Sequence, residues 1–259
     1  MSTTDLTTLF SDAEADGDIS PGAAAVINVV DIGQQIQAGL GISVDDVLAS
    51  EVVLVTQLID DSSSIAYSGN TQIVCDGHNL VIEALEGSKQ NDGILAHAIA
   101  LNSGVLYPYQ SIDPGIHLGM NFRPSGATPL YDQTIVTLAT VLAKSKEFTD
   151  NGVAARTVTL LVTDGGDVGS HARASEVKKI VDDMLRQETH IIAAMGIDDG
   201  HTDFKQVFSD MGIRDEWILT PGNNQSEIRK AFQVFSQSAV RASQNAGSFS
   251  QAAIGGFAN

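Results

Sequence analysis

From Glu51 onward, apolar runs of strand length alternate with segments of helical period. "VVLVTQLI" (52–59), "TVTLLVT" (157–163) and "HIIAAMGI" (190–197) are β-branched or aliphatic nearly throughout, as strands buried on both faces of a parallel sheet should be. "WILT" (217–220) is a shorter candidate, and "ILAHAIALN" and "VLYPYQSI", on either side of Ser103-Gly104, predict an antiparallel hairpin at one edge. Between the strands, Ile73, Val74, Gly77, Leu80, Val81, Ala84 and Leu85 recur at helical spacing, with Gly77 expected to let its helix approach the sheet closely. Ile135, Leu138, Ala139 and Leu142 form a second stripe, and Val177, Ile180, Val181, Met184 and Leu185 a third. Ile228, Ala231, Phe232, Phe235 and Ala239 mark a last helix. These stripes read as core-facing. The alternation predicts an α/β fold: a Rossmann-like, mostly parallel central sheet with helices on both faces and an antiparallel edge hairpin.

The ends follow a different pattern. Residues 1 to about 20 are acidic and rich in Thr, Ser, Asp and Gly, a composition expected to be mobile or to need a partner for order. Residues 21–44 are apolar enough to need burial, and Ser20-Pro21 predicts a helix start, the serine capping and the proline fitting the first helical position. This segment either packs on the main domain as an extra layer or, within residues 21–50, drives homo-oligomerisation or a larger assembly. The expected organisation is an extension over 1–50, a domain over 51–241 and a small-residue tail over 242–259.

Charge narrows the partners. The 259 residues carry 32 acidic against 14 basic side chains, a formal net charge of -18, and no basic residue precedes Lys89. Such a surface repels phosphate backbones, so neither nucleic acid nor an anionic membrane is an expected partner. The single cysteine, Cys75, excludes an internal disulfide and reads as an inert core residue. The stretch "MSTTDLTTLFSDAEADGD" lacks a basic segment followed by an apolar one, so no secretory signal is expected and the chain reads as cytoplasmic.

The candidate chemistry lies where buried strands stop. In open α/β sheets functional groups gather beyond the carboxyl ends of the strands. Asp60, Ser62 and Ser64 follow the first strand in "DDSSS", and Asp164, with Gly165 and Gly166, follows 157–163. Thr128 stands at the mouth of a helix, because the residue before Pro129 is pushed out of helical geometry. Hydroxyls and carboxylates without nitrogen or sulfur suit Mg²⁺ (or Mn²⁺) in octahedral oxygen coordination. Two carboxylates only just balance the dication, so it would stay electrophilic toward a partner's carboxylate.

This ordered set resembles the von Willebrand factor A (VWA) domains, also called the inserted domains of integrins, with their metal-ion-dependent adhesion site (MIDAS). That family's pattern is Asp-x-Ser-x-Ser, a Thr on a second loop and an Asp on a third. "DDSSS" matches the first part with Asp60, Ser62 and Ser64, "GATPL" the second with Thr128, and "TDG" the third with Asp164. The resemblance spans about residues 51–241 and leans toward the stand-alone intracellular bacterial members. It implies a non-enzymatic module that binds Mg²⁺ at these five residues and, through the metal, an Asp or Glu of a protein partner. Three features depart from the pattern: the extra carboxylate of Asp61, expected to alter metal preference, Gly126-Ala127 where paired glycines are common, and the first fifty residues.

Other polar residues read more plainly. Asp198, Asp199 and Gly200 suggest a turn, and Trp217 a core residue. His78, His97, His117, His171, His190 and His201 lack zinc-ligand spacing. Two alternatives to a binding module remain: an assembly subunit that uses the extension, and a Mg²⁺-dependent phosphoryl-transfer hydrolase with Asp60 as nucleophile. Against the latter, Ser62 stands where hydrolases of that type usually place a second Asp.

Overall fold

The computed structural model describes residues 3–29, 32–88, 93–112, 116–119, 121–244 and 256–257. Three helices come first, α1 (Thr3–Ala15), α2 (Pro21–Val29) and α3 (Gly33–Leu40), then β1 (Glu51–Ile59), α4 (Ser63–Tyr67) and α5 (Thr71–Glu86). The hairpin β2 (Ile94–Ala100) and β3 (Gly104–Ser111) follows, then α6 (Leu130–Asp150), β4 (Ala154–Thr163), α7 (Ala174–Arg186) and β5 (His190–Gly196). The chain continues through α8 (Phe204–Asp210), β6 (Ile218–Leu219) and α9 (Gln225–Gln244).

The strands form one sheet in the order β3-β2-β1-β4-β5-β6, parallel except for the β2–β3 hairpin. Helices cover both faces, with α5 against α9 on one and α3, α6 and α7 on the other. β1 and β4 lie at the centre, and Ile59 pairs with both Ala100 and Val162. The ends of three strands are therefore level to within one residue, and whatever follows β1 and β4 emerges side by side.

The first forty residues differ from the mobile end expected of residues 1–20. α1 is a helix whose Leu6, Phe10 and Ala13 are buried, and Lys146 of α6 reaches Asp16 at 3.2 Å and Asp18 at 3.7 Å. Burial of three apolar side chains on one helical face outweighs the acidic composition, because the acids stay on the other face in water. Ser20 caps α2 by accepting from the Ala23 N–H at 3.2 Å, and its own N–H donates to Asp183 of α7 at 2.6 Å. Ala23, Ala24, Ile27, Ile36 and Leu40 join the main core. These five side chains are thus buried within the chain itself, in an extra helical layer over α6 and α7.

Two core details also differ from expectation. Gly77 makes its close approach to a helix instead of the sheet: a Cβ there would lie 2.1 Å from Cδ2 of Phe232 in α9. The strand expected over 217–220 shortens to Ile218–Leu219, because Trp217 closes a 3-10 turn over Asp215–Trp217. Of the tail expected over 242–259, residues 245–255 and 258–259 lie outside the described residues.

Candidate functional site

Asp60 is the first residue past β1, fixed by its own N–H to the Val162 carbonyl of β4 at 3.0 Å. Its side chain is fully buried. Oδ1 accepts from the Ser62 N–H at 2.7 Å, while Oδ2 accepts from Thr163 Oγ1 at 2.7 Å and from the Asp164 N–H at 3.2 Å. Asp60 is therefore oriented by the ends of both central strands.

The chain then turns into α4, which presents its hydroxyls to the same edge. Ser62 Oγ lies 2.8 Å from Ser64 Oγ, and Ser64 Oγ donates to Asp164 Oδ1 at 2.5 Å. One turn further on, Ser68 donates to Asp164 Oδ2 at 3.2 Å. Asp60, Ser62, Ser64 and Asp164 thus form one hydrogen-bonded oxygen cluster. Thr128, also buried, lies on a neighbouring loop, which a two-bond backbone bridge to Val168, at 2.8 and 3.2 Å, ties to the loop that follows Asp164. Its Oγ1 would stand 3.8 Å from a Cβ added at Gly165.

The cluster carries more negative charge than its surroundings neutralise. Burial raises the carboxyl pKa of Asp60, and burial raises that of Asp164, with the Asp60 charge adding to the effect. Among the described residues, no ion pair reaches either carboxylate. Two desolvated carboxylates among the hydroxyls of Ser62, Ser64, Ser68 and Thr163, with no ion pair among the described residues, fit a hard dication by their donor chemistry. Among the described residues no group of three or more His, Cys, Asp and Glu side chains is placed to hold a metal, and the oxygen cluster contains only two carboxylates.

Asp61 does not belong to the cluster. Oδ1 accepts from the Asn102 N–H at 2.7 Å and from Asn102 Nδ2 at 3.1 Å, while Oδ2 accepts from the Ser103 N–H at 3.0 Å and from Ser103 Oγ at 2.5 Å. The expectation that it tunes a metal gives way to a structural role, because all four bonds go to the β2–β3 turn. Gly126 sits against the same turn at φ +100, where a Cβ would come within 2.5 Å of Asn102 Oδ1, so a glycine is needed there.

A second network fixes the loop that carries Asp164. Ser170 Oγ donates to Asp167 at 2.5 Å, and Asp132 in the first turn of α6 accepts from the backbone N–H groups of His171 and Ala172, each at 2.9 Å. The loops bearing Thr128 and Asp164 are thereby clamped together. Asp198 and Asp199 are the turn expected of them, accepting from Gly200 N–H at 2.8 Å and from Thr202 Oγ1 at 2.6 Å. Sequence reading passed over Thr163, Ser68, Asp132 and Ser170. Thr163 alone left a usable signal, a hydroxyl closing the strand before Asp164. The exposed side chains of Tyr67, at the end of α4, and Val168, opposite Thr128, flank the site.

No protein-family model matches the sequence, and comparison with curated proteins finds no relative. Solved structures do match. The pilus adhesin SpaC from Lactobacillus rhamnosus GG aligns at TM-score 0.54 and 12% identity, over 74% of this chain and 30% of that one. Proximal thread matrix protein 1 from the mussel byssus aligns at TM-score 0.51 and 20% identity, over 72% of this chain and 47% of that one. The SpRpn10 VWA domain aligns at TM-score 0.52 and 12% identity, over 71% of this chain and 94% of that domain. The fold is VWA-like. At these identities the likeness concerns the fold, and the VWA-like chain spans under half the length of the mussel protein and the adhesin.

The expectation of a cytoplasmic protein, drawn from the lone cysteine and from the lack of a signal-like stretch in the first eighteen residues, is overturned. Structures of this fold include a byssal thread matrix protein and a pilus adhesin, both of extracellular material. A sequence with one cysteine has no internal disulfide to form in any compartment, so its cysteine count carries no address. Among the described residues no helix is long and apolar enough to cross a membrane.

Proposed function

We propose that this chain is a non-enzymatic protein-binding module whose contact point is a divalent cation, Mg²⁺ or Mn²⁺, held by Asp60, Ser62, Ser64, Thr128 and Asp164. The observation that carries the reading is the hydrogen-bonded cluster of Asp60, Ser62, Ser64 and Asp164 at the ends of the two central strands, its two carboxylates without an ion pair among the described residues, with the Thr128 loop bridged to the loop after Asp164. The mussel protein of this fold has been solved with zinc in its MIDAS motif, which supports a metal at the corresponding edge. When bound, the cation supplies an electrophile for an Asp or Glu of the partner.

The chain's own residues orient that contact. The Asp60 bonds to Ser62, Thr163 and Asp164 fix the site to the sheet, and the Asp132–Ser170 clamp holds the Thr128 and Asp164 loops together. Tyr67 and Val168 offer apolar surface on either side, where a partner excludes water. Net acidity is a modest obstacle, because repulsion is screened beyond about 8 Å at physiological salt.

Phosphoryl transfer from Asp60 is disfavoured by the residue two positions on: Ser62 stands where hydrolases with an aspartate nucleophile usually place a second Asp, so no carboxylate is there to serve as general acid.

Calorimetric titration of Mg²⁺ and Mn²⁺ into metal-free protein tests the proposal. Wild type is expected to bind, Asp60→Ala to lose binding and Thr128→Ala to weaken it; the loaded protein is then expected to retain a partner that a chelator releases. Folded wild type that binds neither cation would overturn the reading.

A further inference from the structure

Trp217 is the chain's only tryptophan, and it is 1% exposed although it leads into β6, the edge strand of the sheet. Phe257 packs edge-on against it, with ring centroids 5.2 Å apart at 61°. The Phe257 N–H donates to the Glu216 carbonyl at 3.0 Å. Gly256 lies at φ +87, and a Cβ there would come within 2.7 Å of the Glu216 carbonyl oxygen. Only glycine satisfies both the backbone angle and the close approach. The buried indole Nε1 of Trp217 has no hydrogen-bond partner among the described residues, so the pocket also has an unused polar donor.

An aromatic anchor, a main-chain hydrogen bond and a position restricted to glycine are the ingredients of short-peptide recognition beside a sheet edge. We propose that the surface formed by Trp217 and Glu216 is a binding site for a Gly-Phe segment. Gly256-Phe257 fills it from the same chain, and the same segment of a second copy takes the place when it leaves. Residues 245–255 separate this segment from Gln244, the end of α9. Eleven residues can span up to about 36 Å when extended, well beyond the roughly 18 Å radius of gyration of a domain of this size. The connection is long enough to serve either copy. Filling from the same chain is favoured in dilute solution by its effective concentration, and exchange becomes competitive when copies are crowded together. Because segment and site are different surfaces, such exchange is head-to-tail and can propagate.

The lone tryptophan makes the test direct. In the full chain, Phe257→Ala and, separately, Gly256→Val are expected to red-shift Trp217 emission and increase its quenching by acrylamide, with the circular dichroism spectrum unchanged. A peptide of residues 253–259, Ala-Ile-Gly-Gly-Phe-Ala-Asn, is expected to reverse the shift saturably in the Phe257→Ala chain, and the same peptide with Ala for Phe to have no effect. A surface coated with the Phe257→Ala chain is expected to retain wild type in preference to the variant. Unchanged emission in both variants, or a shift that the peptide does not reverse, overturns the site. Equal retention of the two chains overturns the exchange between copies.

Discussion

Asp60 and Asp61, neighbours in sequence, are bound to different parts of the fold. The Asp60 carboxylate accepts from Ser62, Thr163 and Asp164 at the centre of the sheet, whereas the Asp61 carboxylate accepts from Asn102 and Ser103 in the β2–β3 turn. The two carboxylates are thus separable by mutation. Asp61→Ala is expected to lower stability by about 2–3 kcal/mol, the range for removing hydrogen bonds to a buried charge, while leaving most of the Mg²⁺ affinity in place. Asp60→Ala should abolish Mg²⁺ binding. Urea unfolding and metal titration on the same samples distinguish the two, and equal loss of metal binding in both variants would contradict the assignment.

Gly77 and Phe232 set the spacing of α5 and α9. Adding a methyl group at Gly77, 2.1 Å from the ring, forces the helices apart or the ring off its rotamer. Gly77→Ala is expected to destabilise the chain by about 1–3 kcal/mol. The loss should shrink when combined with Phe232→Leu, which vacates the space. A double-mutant cycle by thermal or urea unfolding reads that coupling, and strict additivity would show that the contact is not the cause.

Three buried histidines give stability a pH dependence. Burial lowers the pKa of His78 and His190 to about 4 and that of His97 to about 3, below the ordinary value of 6.5. The unfolded chain binds more protons than the folded one between those values, so this stability is complete above about pH 6.5 and is lost as pH falls toward 4. Each histidine contributes up to about 3 kcal/mol in that window. Asp60 and Asp164, with raised pKa values, act in the opposite sense and favour the metal-free folded state as they protonate. Urea midpoints measured in chelator from pH 7.5 down to pH 4.5 are expected to fall, and His97→Gln should flatten the slope.

The rim of the site should separate partner binding from metal binding. Tyr67 is 90% exposed and Val168 61% exposed beside the ligand loops. Neither side chain reaches the oxygen cluster by a hydrogen bond. Tyr67→Ala and Val168→Asp are expected to leave Mg²⁺ titrations unchanged while weakening a chelator-sensitive partner about tenfold, the effect of losing roughly 1.4 kcal/mol at an interface centre. Surface plasmon resonance with the captured partner checks this, and unaltered affinity would place the contact surface elsewhere.

The sequence announced some of these residues and concealed others for identifiable reasons. Asp60 and Asp164 follow uninterrupted apolar runs, so their place at strand ends could be read directly, and Pro129 marked Thr128. The partners of Asp61 could not be read, because Asn102 lies 41 positions away and nothing local links them. α1 carried its signal in Leu6, Leu9, Phe10 and Ala13, correctly spaced for a helix, but four apolar positions were outweighed by an acidic average. The closeness of Gly77 was legible and its neighbour was not, since a small residue reports that something is near without saying which element it is.

The main-chain bond from Asp60 to Val162 has a further consequence. It extends the central β1–β4 ladder one step beyond the strand, so Asp60 is tied to the central pair of the sheet. Its amide can exchange with solvent only when that pair separates, on the timescale of global unfolding, whereas amides of the outlying loops exchange through local openings. The Asp60 amide is thus expected to be among the last in the molecule to exchange, which gives the start of the oxygen cluster the clock of the core.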